Sequence, residues 1–357
     1  MEQKTMKALL WKEDKGIAIV DTPVPLINKP TDAIVKVTLS TICASDIHIV
    51  GGHTYVVPPQ IIGHEFCGEI VELGSAVAKF NVGDKVAVSC LPFCGECYYC
   101  QRGLHFQCLD PDCTCFGTNM SELKLDGCQA EYIRIPHAAN TMYKIPDGFT
   151  EEDMLFVGDI LSTGYFAAEK GNIQPGDTVL IIGAGPVGMC AALTAKLWGP
   201  AKIIISDGVQ SRLDVCIKEG IVDLALNPNE VDVTEKCREI TGGLGPDVVL
   251  ECIGLEPTLV QACQAVKMGG NVVTIGVYGE PVTLPMQDIW FKNISISMGF
   301  VPMNHMPELI KLIQGGKINT KFLMTHRAPL NDIVKGYDVF GNKKDNCLKW
   351  IVTPYVK

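Results

Sequence analysis

The sequence predicts an α/β protein with two parts, a β-rich part followed by a doubly wound parallel sheet. Its 357 residues are a length typical of two domains. Over roughly the first 140 residues, short β-branched segments alternate with turn signals, which favours antiparallel or barrel-like β structure. From Thr178 onward, apolar strands alternate with helical stretches. Six strands with helical crossovers are what a doubly wound sheet requires.

The individual elements follow from these patterns. The predicted strands of the first part are residues 33–39, 69–73, 85–88 and 132–135. Those of the parallel sheet are residues 179–182, 202–206, 222–226, 248–252, 272–275 and 294–297. After residue 300, the sequence predicts helices near 307–314 and 330–340 and a final strand at 348–352.

The charge and the apolar pattern exclude several classes of protein. The formal net charge is −10, which argues against a nucleic acid or an anionic membrane surface as partner. Residues 1–16 carry too many charges for a signal peptide. An uncharged run at 178–195 reaches membrane-spanning length, but glycines and a proline interrupt it. We therefore expect a cytoplasmic protein with reduced thiols.

Sixteen cysteines in a chain of this length indicate metal binding rather than a disulfide scaffold. Cys94, Cys97, Cys100 and Cys108 have the spacing of a closed, structural zinc site. An iron–sulfur cluster or free thiols are the alternatives. Nearby cysteines are interpreted as small buried apolar side chains: Cys90, Cys113, Cys115 and Cys128.

A glycine-rich turn predicts a dinucleotide site. Gly183-Ala184-Gly185-Pro186-Val187-Gly188 follows a predicted strand and opens a helix, whose N-terminus then faces the pyrophosphate. Asp207 closes the next strand, where an acidic side chain accepts hydrogen bonds from the ribose of NAD and repels the 2′-phosphate of NADP. Alternatively, the glycines only form a tight crossover and Asp207 caps a helix.

A second set of candidate ligands is dispersed along the chain. Cys43, His64 and Asp159 offer one thiolate, one imidazole and one carboxylate, which would leave a fourth zinc position open for catalysis. Spacing alone does not select them. A lone aspartate before a helix is more often a cap, and a lone histidine is more often a core residue.

At this point five motifs coincide with a family. Cys43-Ala44-Ser45-Asp46-Ile47-His48, Gly63-His64-Glu65, the four cysteines, Ser162-Thr163-Gly164 and the glycine turn stand in one order. In this order the chain resembles the zinc-containing medium-chain alcohol dehydrogenases over nearly its whole length. The resemblance implies a GroES-like catalytic domain at residues 1–161, completed by 300–357, and a Rossmann domain at 162–299.

The resemblance also implies the ligands of a catalytic zinc, namely Cys43, His64 and Asp159. Glu65 is expected near the metal, either exchanging with water as a ligand or orienting a neighbouring basic group. The horse-liver type has cysteine where this chain has Asp159. Aspartate there resembles bacterial secondary-alcohol dehydrogenases, which commonly lack the four-cysteine lobe. The polyol and threonine dehydrogenases place glutamate nearby instead.

The remaining roles come from the same resemblance. Ser45 would pass the alcohol proton to the cofactor ribose, and His48 would hand it to solvent. Asp46 would support a metal ligand. Thr163 and Val277 would contact the cofactor, and Arg212 would lie near the adenosine ribose. We thus expect NAD and two zinc ions per chain, one catalytic and one structural.

Mostly apolar candidate pocket walls, at 56–59, Phe116 and Val277, favour a secondary alcohol or ketone, with bulky or steroidal substrates included. A polyol or threonine-type zinc dehydrogenase is the alternative. A zinc-free quinone or enoyl reductase and a non-catalytic NAD-binding redox sensor are competing hypotheses. The family usually forms dimers or tetramers, and the apolar edge strand near 294–297 is a candidate interface.

Overall fold

The computed structural model describes residues 4–12, 16–54, 56–119 and 124–355. The chain folds into two compact units. The first unit contains both ends of the chain, Met1–Ser162 and Val301–Lys357, and the second is Thr163–Phe300. Each junction lies one residue beyond the boundary expected from the sequence. The second unit is therefore an insertion into the first.

Strands predominate in the first part of the chain, and strands and helices alternate in the second. The strands of the described residues are β1 (Thr5–Lys12), β2 (Gly16–Pro23), β3 (Ala33–Thr41), β4 (Gln60–Ile61), β5 (Phe66–Leu73), β6 (Lys85–Val88), β7 (Tyr132–Ile135), β8 (Met142–Lys144), β9 (Thr178–Ile182), β10 (Lys202–Ser206), β11 (Leu224–Leu226), β12 (Val248–Glu251), β13 (Asn271–Thr274), β14 (Ser295–Met298), β15 (His326–Pro329) and β16 (Trp350–Thr353). The helices are α1 (Ala44–Val50), α2 (Ala138–Thr141), α3 (Glu151–Met154), α4 (Ile160–Lys170), α5 (Pro186–Ala195), α6 (Gln210–Lys218), α7 (Val233–Ile240), α8 (Glu256–Ala265), α9 (Met286–Ile289), α10 (Met306–Gln314) and α11 (Ile333–Gly341).

The first unit is built on two sheets. The larger sheet has the order β15-β16-β3-β5-β6-β8, with β7 also paired to β3, and the smaller one has the order β2-β1-β4. All pairs of the larger sheet are antiparallel except β15 with β16. Strands β1 and β2 are not among the strands that the sequence predicted. In β1, apolar Met6 and Ala8 are buried between exposed Thr5 and Lys7, the alternation of a half-buried strand.

The second unit is a six-stranded parallel sheet in the order β11-β10-β9-β12-β13-β14. Its central strands β9 and β12 are almost wholly apolar, as expected for strands with helices on both faces. The strand order reverses between β9 and β12, and ligands of such sheets bind beyond the carboxyl ends of the strands at this reversal. The fold class predicted from the sequence is confirmed.

Within the described residues, no helix combines the length and the apolar character that a membrane span requires.

Candidate metal centres and cofactor site

The sheet of the first unit brings distant parts of the chain to one buried point. Strand β3 is paired with β16 on one side and with β5 on the other. Cys43 follows β3, His64 and Glu65 precede β5, and Lys349 precedes β16, so these four residues meet at adjacent strand ends. Asp159 joins them from the turn before α4.

Two glycines allow this close approach. A Cβ atom on Gly158 would lie 2.0 Å from the carbonyl oxygen of Val88, so only glycine lets the turn carrying Asp159 pack against the end of β6. Gly63 has a φ of +102°, and a Cβ there would lie 2.5 Å from a neighbouring side chain. The residue before His64 is therefore restricted to glycine by both backbone and space.

The predicted ligands of the catalytic metal do converge. The Sγ atom of Cys43 lies 3.6 Å from Oδ2 of Asp159, which lies 3.3 Å from Nε2 of His64. With Glu65 included, one donor atom from each residue lies within 4.8 Å of every other, and all four residues are buried. Zinc binds N and O at about 2.0–2.2 Å and S at about 2.3 Å, so donors around one ion are separated by about 3–4 Å. The cluster fits such an ion.

The charges of the cluster also suit a cation. Burial raises the pKa of the Cys43 thiol to about 11. Burial opposes ionisation of Asp159 as well, but the hydrogen bond and the charge of His64 hold the pKa of this carboxyl below its usual value. A divalent ion would favour the Cys43 thiolate directly, because metal binding displaces the thiol proton.

Each ring nitrogen of His64 lies close to a polar side chain. Its Nε2 atom faces the cluster, 3.1 Å from the Ser45 hydroxyl, and its Nδ1 atom lies 3.2 Å from Oδ1 of Asp46. Burial alone would lower the pKa of His64, but the Asp46 charge raises it well above its usual value. Oδ2 of Asp46 accepts hydrogen bonds from the backbone N–H of Cys43, at 2.9 Å, and from Nε2 of Gln129, at 3.0 Å. Asp46 thus anchors the backbone of one candidate ligand, Cys43, by a hydrogen bond, and places its other oxygen close to the ring of a second, His64, without a hydrogen bond between them.

These supporting contacts extend to a residue that the sequence did not indicate. The hydroxyl of Tyr337 donates to Oε1 of Gln129 at 2.7 Å, and both side chains are buried. Gln129 therefore connects Tyr337, on α11, to Asp46 through two hydrogen bonds.

Glu65 has a basic partner inside the protein. The Nζ atom of Lys349 donates to Oε1 of Glu65 and, at 3.1 Å, to the carbonyl oxygen of Ile42. Both charged side chains are completely buried. Burial raises the pKa of Glu65 to about 7, against the opposing effect of Lys349. Among the described residues, none donates a hydrogen bond to Oε2 of Glu65, which is also buried.

Helix α1 carries both residues of the expected proton path. Ser45 is at its start and His48, one turn later, is half-buried. Burial lowers the pKa of His48 below its usual value, and the charge of His53 lowers it further. The rings of His48 and His53 are 6.3 Å apart in an edge-to-face arrangement. His48 is therefore neutral at pH 7 and can accept a proton.

The four-cysteine cluster is also assembled. Cys94, Cys97, Cys100 and Cys108 each place a sulfur within 4.8 Å of the other three. Backbone N–H groups point at the sulfurs: that of Cys97 at Cys94 Sγ, 3.4 Å, and that of Cys94 at Cys108 Sγ, 3.4 Å. A hydrogen bond from the Cys113 thiol lowers the pKa of Cys108 to about 4. Such support for thiolates suits a closed structural zinc site.

The prediction that Phe116 lines the substrate pocket is wrong. Phe116 was a candidate pocket wall, but its ring is completely buried and packs edge-to-face on Phe66, with ring centroids 5.6 Å apart. It belongs to the core of the larger sheet.

In the second unit, the glycine turn has the expected geometry. Gly183 has a φ of +104°, which residues other than glycine rarely adopt. Gly185 lies directly before α5, whose first two residues are Pro186 and Val187. A Cβ on Gly188 would lie 1.9 Å from the carbonyl oxygen of Gly183, so only glycine permits this contact of helix and turn. The first turn of α5 therefore directs free N–H groups toward an anion at the carboxyl edge of the sheet.

Asp207 connects the glycine turn to the loop between β10 and α6. Its Oδ2 atom accepts from the N–H of Ala184 and its Oδ1 atom from the N–H of Val209, both at 2.8 Å. Arg212 lies 4.0 Å from Asp207, and its guanidinium would be 3.9 Å from a Cβ on Gly185. Asp207 thus links the glycine turn to the residue before α6. It does not cap that helix as the alternative had it, because Val209 is the N-cap and no side chain caps the helix.

A buried carboxylate that was not predicted organises the neighbouring loops. Glu251 ends β12, and its Oε1 atom accepts from the N–H groups of Ile253 and Gly254, each at 2.9 Å. Its Oε2 atom accepts from the hydroxyls of Thr274, at 2.8 Å, and Tyr278, at 3.0 Å. Glu251 therefore ties the loop after β12 to the loop after β13.

The other two residues predicted to contact the cofactor, Val277 and Thr163, lie on different elements of the fold. Val277 lies in the loop after β13 and is exposed. Thr163 lies half-buried on α4.

Two of the missed residues leave a signal in the sequence. Lys349 interrupts the apolar run 347–352, and Glu251 ends the apolar run 248–250. A single charge in a strand that is otherwise apolar is expensive to bury without a partner. The identity of the partner depends on strand pairing and cannot be read from either run.

Comparison with known proteins agrees with this geometry. Residues 29–147 match the alcohol dehydrogenase GroES-like domain and residues 186–315 the zinc-binding dehydrogenase domain. An alcohol dehydrogenase of Cupriavidus necator is 35% identical, with 98% of this chain and 99% of that protein covered. A sorbitol dehydrogenase of Bacillus subtilis is 33% identical, with 98% of each chain covered. The apo structure of zinc-dependent alcohol dehydrogenase 2 from Streptococcus pneumonia superposes with a TM-score of 0.91, at 36% identity and 99% coverage of both chains.

The chain therefore belongs to the zinc-containing medium-chain dehydrogenases. It is an oxidoreductase of the group of zinc-dependent alcohol and polyol dehydrogenases.

The buried pair of Lys349 and Glu65 can be tested through stability. Replacing Lys349 with Met leaves a buried carboxylate without its counter-charge, and we expect a loss of about 3 kcal/mol in the free energy of unfolding, measured by urea denaturation. The double variant Lys349→Met/Glu65→Gln should recover most of that loss. Lys344→Met, which removes an exposed pair with Asp338, is the matched control and should leave the free energy of unfolding nearly unchanged. Equal effects of Lys349→Met and Lys344→Met would contradict the buried pair.

Proposed function

We propose that this protein transfers a hydride between NAD(H) and a secondary alcohol or its ketone. The observation that carries the proposal is the convergence of Cys43, His64 and Asp159 in one buried cluster. A thiolate, an imidazole and a carboxylate are three protein ligands for zinc, which leaves one position for the substrate oxygen. The competing hypotheses of a zinc-free reductase and of a non-catalytic sensor leave this buried set without a role.

A zinc ion held by these three residues would act as a Lewis acid that makes the alcohol hydroxyl more acidic. The side chains around it have supporting tasks. Asp46 holds the His64 ring so that Nε2 faces the ion, and Lys349 holds Glu65 by one oxygen while the other accepts from no described residue. We infer that Glu65, through this second oxygen, would be a further candidate ligand of the ion besides Cys43, His64 and Asp159. The four-cysteine cluster would hold the second, structural zinc.

The proton of the alcohol has to leave a buried site. The Ser45 hydroxyl lies 3.1 Å from His64 Nε2, so it borders the same space as the metal ligands. His48 is neutral at pH 7 and lies on the same helix, half-buried. Ser45 as the first acceptor and His48 as the last would carry the proton outward.

For the substrate, the alternative of a polyol has a specific observation in its favour. The Bacillus subtilis relative that is 33% identical over nearly the full length is a sorbitol dehydrogenase. We favour a secondary alcohol or ketone, including bulky or steroidal ones, because the ligand next to α4 is Asp159 and because Val57, in the predicted pocket wall, is apolar and exposed. The sixteen cysteines suit a reducing compartment, and we place the protein in the cytoplasm.

The function is tested by assaying primary, secondary, cyclic and polyol substrates with NAD, using the natural chain and Cys43→Ala. We expect the highest kcat/KM with a secondary or cyclic alcohol. Cys43→Ala should lower it about a thousandfold or more, because the Lewis acid contributes several kcal/mol to the transition state, and should lose one zinc equivalent by elemental analysis. Cys216→Ala, a buried cysteine of the second unit, is the control and should keep both. Full activity in Cys43→Ala would refute the assignment.

The cofactor is the subject of a second test. Asp207 presents its carboxylate beside the glycine turn, so we expect a clear preference of the natural chain for NAD over NADP. Asp207→Asn should raise the ratio of NADP to NAD efficiency about tenfold or more, by removing charge repulsion worth roughly 1.4 kcal/mol. Asp223→Asn is the matched control, because Asp223 also binds a backbone N–H of this sheet. A natural chain that prefers NADP would defeat this interpretation of Asp207.

We also propose a homo-oligomer, a dimer or tetramer, formed through the second unit. Strand β14 is the edge of the parallel sheet, and Met298 on it is 68% exposed. Trp290 and Phe291, just before it, are also exposed. An edge strand with apolar side chains is a template for pairing with another chain.

Sedimentation velocity tests this arrangement. The natural chain should sediment as a dimer or tetramer, and Met298→Lys should shift it toward the monomer, because a charge on an edge strand opposes pairing. Leu244→Lys, at another exposed apolar residue of the same unit, should leave the sedimentation coefficient unchanged. A monomeric natural chain would exclude the proposed interface.

A further inference from the structure

Beside the four-cysteine cluster, the first unit contains a third group of convergent donors. Asp110, Cys113 and His137 each place one ligand atom within 4.8 Å of the other two. Neither the proposed reaction nor the two predicted zinc ions use these residues. The sequence predicted only a small apolar role for Cys113, and none of the five motifs includes Asp110 or His137.

The backbone holds these three donors in place. The N–H of Cys113 donates to the carbonyl oxygen of Asp110 at 2.9 Å, so the aspartate and the cysteine share one tight turn. His137 has a φ of 46°, in the left-handed region that few residues other than glycine, asparagine, aspartate and histidine adopt. Its carbonyl oxygen accepts from the N–H groups of Asn140 and Thr141, at 2.9 and 3.1 Å, and this anchors the histidine at the start of α2.

The carboxylate of Asp110 divides its two oxygens between different neighbours. Oδ1 accepts from the N–H of Asp112 at 2.9 Å and lies 3.5 Å from Nζ of Lys29. Lys29 is closer to Oδ2 of Asp112, at 2.9 Å, so that pair satisfies most of its charge. Oδ2 of Asp110 instead faces Nε2 of His137 at 3.0 Å. The carboxylate oxygen, the imidazole nitrogen and the nearby thiol of Cys113 therefore form one group.

We propose that Asp110, Cys113 and His137 form a third metal site, which takes zinc or a similar borderline divalent transition ion. One thiolate and one carboxylate neutralise the charge of a divalent ion, and the imidazole completes the same combination of donor types found at Cys43, His64 and Asp159. A site with three protein ligands keeps a position for water and exchanges its ion more readily than a closed four-thiolate site.

The location links this site to the structural cluster. Cys108 is a ligand candidate of the structural zinc, and the Cys113 thiol donates a hydrogen bond to its sulfur. An ion at Cys113 would displace that thiol proton and so replace this hydrogen bond. Asn140, on the helix that follows His137, donates to the carbonyl oxygen of Cys94 at 2.9 Å. The third ion would therefore lie next to the four-cysteine cluster and connect the turn that carries Asp110 and Cys113 to His137.

Metal stoichiometry tests the proposal. The full-length protein is equilibrated with a tenfold excess of zinc and desalted, and bound zinc per chain is measured by elemental analysis. The natural chain should bind three equivalents. A mild chromophoric chelator should remove the third ion first, because Asp110 and His137 are only half-buried whereas Cys43, His64 and Asp159 are buried. His137→Asn, Cys113→Ser and Asp110→Asn should each bind two. His326→Asn, a matched change at a histidine outside this group, should bind three.

Cobalt distinguishes loss of the third ion from damage to the four-cysteine cluster. The intensity of sulfur-to-cobalt charge transfer grows with the number of thiolates, so Cys113→Ser should remove a weak component and leave the strong four-thiolate absorption. A natural chain that binds only two ions under these conditions would overturn the proposal. So would three bound ions in His137→Asn, or a strong cobalt spectrum that falls in all three variants.

Discussion

The candidate active site of the first unit depends on the pairing of one strand with two others. Strand β3 binds β5 on one side and β16 on the other, and this places the residues at their ends within contact distance. Cys43 and Glu65 come from the early part of the chain, whereas Lys349 lies close to its C-terminus. A slip of one residue in either pairing would turn alternate side chains to the opposite face and separate the donors. The hydrogen-bond register of β3 therefore decides whether the cluster exists.

Burial makes the electrostatics of this cluster demanding. Glu65 and Lys349 are charged groups with no exposed surface, and Cys43, His64 and Asp159 lie beside them. Charges so far from water are tolerated only with partners at hydrogen-bond distance. The structure supplies these partners in layers: Lys349 for Glu65, and Asp46 and Gln129 behind His64 and Cys43. The outer layer restricts the inner side chains to positions from which they can share one ion.

Local patterns account for what the sequence could predict. The glycine turn at 183–188 and the four cysteines each occupy one short segment of the chain. The structure forms the expected turn and brings the four sulfur atoms together. Cys43, His64 and Asp159 were selected through family resemblance, because no local pattern joins residues so far apart. The partner of Glu65 was anticipated only as a basic group. Lys349 lies 284 residues away and is brought close only by the strand order. Phe116 was misassigned since an aromatic residue in a loop has the same sequence signal whether it faces a pocket or a core.

The insertion of one unit into the other has a consequence for how the protein is made. During synthesis, the ribosome produces β3, β5 and their candidate ligands early, but β16 and Lys349 emerge only after the entire Thr163–Phe300 unit. A domain made of consecutive residues can fold as it appears, whereas contacts of long sequence separation must wait. The parallel sheet is thus free to form while the first unit still lacks β15 and β16. Until β16 and Lys349 have left the ribosome, Glu65 lacks this counter-charge and β3 lacks its pairing with β16, so the candidate active site is completed only after the whole Thr163–Phe300 unit has been made.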